Sequence, residues 1–278
     1  MTNSDLGKFG VWRHYKGFAP AAASEIEELG YGALWLGGSP PTELPVVESL
    51  LEATDSLIVG TSIVNIWTAP AATVAESFHR IDQRFPGRFL LGIGVGHREA
   101  NGTEAVKPYD ALVAYLDELD AAGVPKERRA LAALGPRVLK LARDRTAGAL
   151  PYLAPPEHTD SARETLGAEA LLVAEQKVVL DDDVARAREL ARGTVSMYLG
   201  LVNYLNNLRR VGFSEQDITK PGSDRLIDAL AVNGTPAAVA AGLVAHLDAG
   251  ADHVAIQPLN EDYLEALRAL AAVLPLTR

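Results

Sequence analysis

Short apolar runs, each followed by a polar loop and a longer stretch of helical period, alternate along most of the chain. Strands of a parallel sheet joined by covering helices produce this alternation. Lys8–Trp12 reads as the first strand, and Pro20–Leu29 as a helix with Ala22, Ile26 and Leu29 on one face and Gly30 as its stop. Ala33–Leu36 is the second strand. Pro45–Ala53 sets Val46, Val47, Leu50 and Leu51 at helical spacing, and Leu57–Ile66 is a strand too apolar to face water on either side. Ala72–Phe85 is helical, Pro86–Gly87 turns the chain, and Arg88–Ile93 runs as a strand into a glycine-rich loop. Pro108–Ala122 and Arg128–Leu134 are the next helix and strand. A helix over Pro136–Thr146, a short strand at Ala149–Leu153, a helix from Thr159 and a strand at Ala170–Ala174 follow. Asp181–Arg210, one long helix or two shorter ones, exceeds a minimal crossover and reads as an insertion over about 181–230. Thr235 then caps a helix with Val239, Leu243, Val244 and Leu247 on one face. Gly250 ends it, and His253–Gln257 is a strand before the final helix.

Eight strand candidates, near residues 10, 34, 60, 90, 131, 151, 172 and 255, each lead into a helix, in a chain of 278 residues. Length and count predict an α/β fold, a (β/α)8 TIM barrel forming one domain over 1–278 with a helical insertion before the last βα unit. A doubly wound open sheet is the alternative, but no G-x-G-x-x-G follows the first strand. With 48% hydrophobic and 22% charged residues, the composition is that of an ordinary globular protein and excludes disorder and fibrous repeats. A formal charge of -10 repels polyanions, so neither nucleic acid nor an anionic membrane is an expected partner. The opening MTNSDLGKFG lacks an apolar signal core, and no run approaches the roughly 18 apolar residues of a membrane span, so a cytoplasmic location is expected. The absence of cysteine removes thiol catalysis and thiolate metal sites.

In a closed barrel the chemistry sits just beyond the carboxyl ends of the strands. Trp12, Trp35 and Trp67 fall at or near the ends of the first three strands, beside His14, Gly37–Gly38 and Asn65. They serve either as packing or as the apolar mouth of a site for a flat aromatic ligand. Leu91-Gly92-Ile93-Gly94-Val95-Gly96-His97 ends the fourth strand, and alternate glycines let a ligand approach the backbone, although tight barrel corners also use them. Ala132-Ala133-Leu134-Gly135-Pro136-Arg137-Val138 ends the fifth, where a helix start offers amides at a positive dipole end and Arg137 could add a charged fork, a possible phosphate seat. Ordinary helix initiation explains the same residues. No His-x-His pair occurs among His14, His79, His97, His158, His246 and His253, so no strand-borne metal site is expected. Lys177 alone sits near a late strand end where a Schiff base could form. Tyr152 and His158 follow the sixth strand, and Tyr198, Asn203, Tyr204, Asn206, Asn207, Arg209 and Arg210 decorate the insertion, as a polar aromatic lid or as a helix docking on a partner.

The chain resembles the luciferase-like monooxygenase superfamily, and within it the coenzyme F420-dependent oxidoreductases. The resemblance is carried by Glu28-Leu29-Gly30-Tyr31-Gly32-Ala33-Leu34-Trp35, by Gly60-Thr61-Ser62-Ile63-Val64-Asn65 with Pro70, by Pro86-Gly87-Arg88-Phe89 and the strand-four glycines, and by Asp248-Ala249-Gly250-Ala251-Asp252-His253-Val254. It implies a barrel holding a flavin or deazaflavin across the strand ends, with a non-proline cis peptide at Ser62–Ile63 supporting the ring. It also implies that Gly94, Val95 and Gly96 line the cofactor tail and that Leu134, Gly135 and Pro136 form the phosphate-binding turn. Sugar-phosphate dehydrogenases of this superfamily carry an Asp-His pair after the second strand, where this chain has Gly37–Gly38, and an acidic residue where it has His97. Their substrate and base therefore do not carry over.

The expected function is a coenzyme F420-dependent oxidoreductase moving a hydride between deazaflavin and a small organic molecule. His97, then His14 and His158, are the candidate proton carriers. Ser62, Ile63, Asn65 and Arg137 join the glycines around the cofactor, and Trp12, Trp67, Tyr152 and Tyr204 face the substrate. An FMN-dependent monooxygenase is the alternative, and a barrel without catalysis, serving as a binding or structural subunit, is the alternative from another class. Relatives pair as homodimers, for which an apolar face over Ala72–Phe85 is suitable.

Overall fold

A computed structural model describes residues 6–96 and 107–276. Ten strands are described: β1 (Phe9–His14), β2 (Ala33–Gly37), β3 (Ile58–Thr61), β4 (Val64–Asn65), β5 (Phe89–Gly94), β6 (Arg129–Leu131), β7 (Gly148–Ala149), β8 (Leu171–Leu180), β9 (Ala231–Gly234) and β10 (His253–Pro258). All their pairings are parallel, and β10 pairs with both β1 and β8, which closes the sheet on itself. β3 and β4 are two parts of one stave, broken at Ser62–Ile63 and both paired with β5. Eight staves therefore form the ring, a TIM barrel, with β9 lying against the far end of β8 at Lys177–Leu180.

Side chains of successive strand residues point to opposite faces, and the core is layered accordingly. Ala33, Trp35, Ile58, Leu90, Ala130, Leu171, Val173 and Ala255 fill the interior of the ring, while Leu34, Leu36, Val59, Leu91, Leu131, Leu172, Val254 and Ile256 pack outward under the helices. A β-carbon on Gly60 would stand 2.5 Å from the Trp35 ring, so that large indole fits only because its neighbour has no side chain. Trp35 Nε1 donates to His253 Nε2 at 3.0 Å, which leaves the imidazole proton on Nδ1 to bond the Gly7 carbonyl at 2.9 Å.

The covering helices start where the sequence supplies proline and a cap. The helix Pro236–Asp248 has Pro236 in its first turn and the Thr235 hydroxyl accepting from the Ala238 amide. The helix Ala71–Arg84 spends its apolar face, Val74, Ala75, Phe78 and Ile81, on the barrel, so the stripe expected to pair two subunits is core. Other boundaries shift too. The strand expected over Ala170–Ala174 runs on to Leu180, that at Ala149–Leu153 is only Gly148–Ala149, and the helix expected from Thr159 starts at Pro156. Between β8 and β9 the insertion forms four helices, Val184–Tyr198, Val202–Arg210, Glu215–Ile218 and Asp224–Leu230, with a small core of their own around Ala191, Leu208 and Ile227.

On the outer side of β8, Gln176 Oε1 lies 2.7 Å from His246 Nε2, and the Thr159 hydroxyl lies 2.8 Å from His246 Nδ1. Burial holds His246 and His253 neutral, each lowered to about 4. Both are protonated more readily in the unfolded chain, so their contribution is complete above the unfolded value near 6.5 and is lost as pH falls from there toward 4. Thermal unfolding followed between pH 7.5 and 4.5 should show stability falling by up to about 1.4 kcal/mol per pH unit for each of these histidines. A transition temperature flat across that window would contradict the burial of both rings as neutral species.

Candidate active site

At the carboxyl rim the ring opens into a cavity of about 530 Å³, within the range of small-molecule and cofactor sites. Its floor and walls join the ends of five staves, through Trp12 and His14, Gly38 and Ser39, Ser62, Ile63 and Asn65, Val95 and Gly96, and Ala132 to Gly135. Leu150 and Tyr152 close the sixth side, and Tyr198, Asn203 and Tyr204 come over it from the insertion helices.

The break in the third stave is central to this wall. The Ser62–Ile63 peptide is cis, as the resemblance implies. Trp12 Nε1 donates to Ser62 Oγ at 3.0 Å across 50 residues of sequence, and the Ser62 amide bonds the Leu36 carbonyl at 2.8 Å, so the first and second staves both hold the turn. Asn65 Oδ1 accepts from the Trp67 amide at 3.1 Å, and Trp67 Nε1 donates to the Val95 carbonyl at 3.0 Å, which ties the third stave to the glycine loop.

Gly37 and Gly38 act as seats. A β-carbon at Gly37 would stand 2.0 Å from Trp12 Cζ2, and one at Gly38, whose φ is +81°, would stand 2.2 Å from His14 Cδ2. The position that bears an Asp-His pair in the sugar-phosphate enzymes here carries no side chain, and two rings of β1 occupy the space instead. His14 stacks on Tyr15 with centroids 4.7 Å apart, and its Nδ1 accepts from the Lys16 amide at 3.3 Å.

Beneath Tyr152 lies a buried ion pair. Lys177 Nζ donates to both carboxylate oxygens of Glu175, at 3.0 and 3.1 Å, with the lysine completely excluded from solvent. The same ammonium stands 3.9 Å from the Tyr152 ring centre, and Glu175 also accepts from the Leu153 amide at 2.9 Å. Burial pushes the Lys177 ammonium down while the Glu175 carboxylate holds it up, and burial pushes the Tyr152 hydroxyl up. Sealed in this way, Lys177 does not line the cavity, and a Schiff base at this residue is not supported.

The structure thus brings Trp12, His14, Ser62, Ile63, Asn65, Val95, Gly96, Leu134, Gly135, Tyr152 and Tyr204 to one wall. Gly94 sits behind Ile63, where a β-carbon would come within 2.9 Å of Ile63 Cγ1. Pro136 begins the helix Pro136–Arg145 without lining the cavity, and Arg137 turns outward to stack 3.6 Å above the Tyr109 ring. Trp67 supports the rim through Val95. His158 is buried on the helix Pro156–Leu166, with Nε2 donating to the Leu134 carbonyl at 2.9 Å, and does not line the cavity. His97 lies outside the described residues. Ala132, Ala133 and Val138 come from the fifth-strand end that the sequence offers as a ligand seat, whereas Ser39 and Leu150 carry no sequence signal, and the sequence places Tyr198 and Asn203 no more closely than on a lid or a docking helix. Tyr198 carried one usable signal, standing six residues before Tyr204 on the inserted segment.

The comparisons with known proteins can now be set beside this geometry. Residues 5–122 match the luciferase-like monooxygenase family. That stretch contains the Ser62–Ile63 turn and the strand-four glycines, whereas the cavity residues from Ala132 to Tyr204 lie outside it. Among solved structures, the chain is similar to an F420-dependent secondary alcohol dehydrogenase in complex with an F420-acetone adduct, with TM-score 0.76 and 15% identity over 100% of both chains. It is similar to the coenzyme F420-dependent tetrahydromethanopterin reductase of Methanopyrus kandleri, with TM-score 0.72 and 17% identity over 96% of this chain and 98% of that one. It is also similar to the oxygenating constituent of 3,6-diketocamphane monooxygenase from Pseudomonas putida in complex with FMN, with TM-score 0.70 and 12% identity over 98% and 100%. At these identities the likeness is one of fold, a TIM barrel. No curated protein sequence matches the chain.

Two outcomes follow from the packing. Gly37→Ala should force the Trp12 ring from its seat and cost about 1–3 kcal/mol, with a shift of tryptophan emission as the ring leaves Ser62; an unchanged spectrum and stability would show the seat to be slack. Glu175→Ala should cost about 3–5 kcal/mol in denaturant unfolding because it strands a buried ammonium, whereas Glu175→Leu combined with Lys177→Met should recover most of that loss.

Proposed function

We propose that the chain is a coenzyme F420-dependent oxidoreductase that passes a hydride between the deazaflavin and a small organic substrate. One observation carries the reading: a cavity of about 530 Å³ at the carboxyl rim whose wall includes the Ser62–Ile63 turn, Val95, Gly96 and the helix start at Gly135. The donor set fits a planar heterocycle with a polar tail. Ile63 and Val95 offer aliphatic surface, and Gly96, with φ +59°, has no side chain to keep a ring from the backbone. Gly135 has open space where a β-carbon would stand, beside the positive end of a ten-residue helix. Among the described residues no Lys or Arg lines the cavity, so backbone amides would have to receive the tail.

When bound, the deazaflavin supplies the hydride chemistry. The protein holds the platform for it. Trp12 and the Leu36 carbonyl fix both flanks of Ser62, Trp67 fixes the glycine loop, and the helices bearing Tyr198 and Tyr204 shield the mouth from water. His14 is the one imidazole of the described wall and would hold or release a proton there. Two of the similar folds being F420-dependent enzymes supports this cofactor. The match to luciferase-like monooxygenases and the FMN-bound structure support FMN at the same surfaces as the second reading.

Fluorescence titration of the pure protein with F420 and with FMN separates the two. F420 should bind at least about tenfold more tightly, a difference of roughly 1.4 kcal/mol. Gly94→Val, whose side chain would drive Ile63 into the cavity, should abolish binding with the fold retained. Tighter FMN binding with turnover of reduced flavin and oxygen would replace the proposal, and binding of neither would favour a barrel without catalysis.

A further inference from the structure

The buried pair of Glu175 and Lys177 does not line the cavity, yet its contacts gather around one residue of the wall, Tyr152. The Glu175 amide donates to the Pro151 carbonyl at 3.3 Å, and the Glu175 carboxylate accepts from the Leu153 amide at 2.9 Å, so one residue grips the chain on either side of Tyr152. Lys177 Nζ stands 3.9 Å from the centre of the ring between them. Leu153 has φ +54°, a left-handed conformation that leucine rarely takes, and its side chain is buried in the core of the insertion. The carboxylate that bonds the Leu153 amide therefore also fixes the direction in which the chain leaves Tyr152.

The Tyr152 ring in turn packs on Trp12, with centroids 5.1 Å apart and planes inclined at 42°. Gly37 meets the same indole where its β-carbon would stand, so Trp12 is confined by the second stave and by the residue beyond the sixth. Its Nε1 then reaches Ser62 Oγ at 3.0 Å. Lys177, Tyr152, Trp12 and Ser62 thus touch in that order, from the sealed side of the barrel to the third-stave turn. A buried ammonium holding both oxygens of a carboxylate cannot drift from it without leaving a charge unpaired and out of water. The pair is accordingly a fixed point at the start of the line, where aliphatic side chains of similar size would let the Tyr152 ring shift.

We propose that Glu175 and Lys177 are positioning residues for the cofactor platform, setting the Ser62–Ile63 wall through the rings of Tyr152 and Trp12. The inference rests on the cofactor reading for what the wall holds, and on packing alone for how the wall is held. The chain has three tryptophans, and each indole proton has its own acceptor: Ser62 Oγ for Trp12, His253 Nε2 for Trp35 and the Val95 carbonyl for Trp67. Deuterium exchange of the three indole protons, followed by NMR on the full-length protein with isotope-labelled tryptophan and assigned with Trp12→Phe and Trp67→Phe, reads the last link of the line against two internal controls. Glu175→Leu combined with Lys177→Met should speed exchange at Trp12 at least about tenfold, with Trp35 and Trp67 within about twofold of the wild type. Tyr152→Leu, which leaves the ion pair in place and breaks the line at its middle, should do the same, and Tyr152→Phe, which keeps the ring, should not. A general loss of stability speeds all three indoles together, so a merely structural pair does not produce this pattern. Should the double variant fail to fold, Tyr152→Leu decides. F420 should bind the double variant at least about fivefold more weakly than the wild type. Unchanged protection of Trp12, an equal change at all three indoles, release of Trp12 by Tyr152→Phe, or an F420 affinity indifferent to the double variant would overturn the proposal. If the wild type binds neither F420 nor FMN, the cofactor reading falls, and the indole pattern alone decides whether the pair holds the wall.

Discussion

The interior of a closed eight-stave ring has to be filled, and how this chain fills it decides where a ligand can go. At the level of Trp35 the ring is closed by one large indole, its hydrogen-bonded partner His253, and the aliphatic layer of Ile58, Leu90, Leu171 and Val173. Glycines at 10 and 60 make room for the two rings, since a β-carbon at either would overlap His253 or Trp35. One layer higher the bulk is redistributed to the rim. Trp12 lies flat over Gly37, His14 over Gly38, and Gly94 leaves Ile63 its place, so space remains at the centre. Filling below and hollowing above are therefore the same packing problem solved with glycine on opposite sides of the aromatic residues.

That arrangement bears on how the missing Asp-His pair is read. Judged from residue types, Gly37–Gly38 looks like lost chemistry. Judged from the space around it, the substitution is required by Trp12, which needs Gly37 in order to reach Ser62. A side chain at 37 and the Trp12–Ser62 bond are mutually exclusive, so the glycine at 37 is a requirement of the packing.

Much of the barrel was legible because its strands are apolar and its helices begin at proline and end at glycine. Strand positions near 10, 34, 60, 90, 131 and 255 all lie within observed strands, and the cap at Thr235 and the stop at Gly250 are as read. The failures cluster where polar residues are buried. β8 was cut short at Ala174 because Glu175, Gln176 and Lys177 look solvent-facing, whereas each finds a partner inside, the pair in the ring interior and Gln176 against His246. Pairings across 70 to 105 residues, such as Gln176 with His246 or Tyr152 with Gln257, leave no local periodicity to read. For the site, positions on the staves were legible through the rule that barrels act at their carboxyl ends. The side-chain directions of Arg137 and His158 were not, because a stacking ring at Tyr109 and a carbonyl at Leu134 compete for them.

The charge balance points the same way as the packing. A chain of net charge -10 sets up a field unfavourable to anions, yet salt attenuates that field over about 8–10 Å, and among the described residues no Asp, Glu, Lys or Arg lines the cavity to reinforce or oppose it. A strong pair nearby, Glu175 with Lys177, is sealed and self-neutralising, and Arg137, a cation close to the fifth-strand end, stacks on Tyr109. Among the described residues, the polar groups at this mouth include hydroxyls and amides. Hydrogen bonds of this kind are individually worth about 1 kcal/mol, so selectivity requires that several be held in line, which is what the packed tyrosines and the buried ion pair beneath them provide.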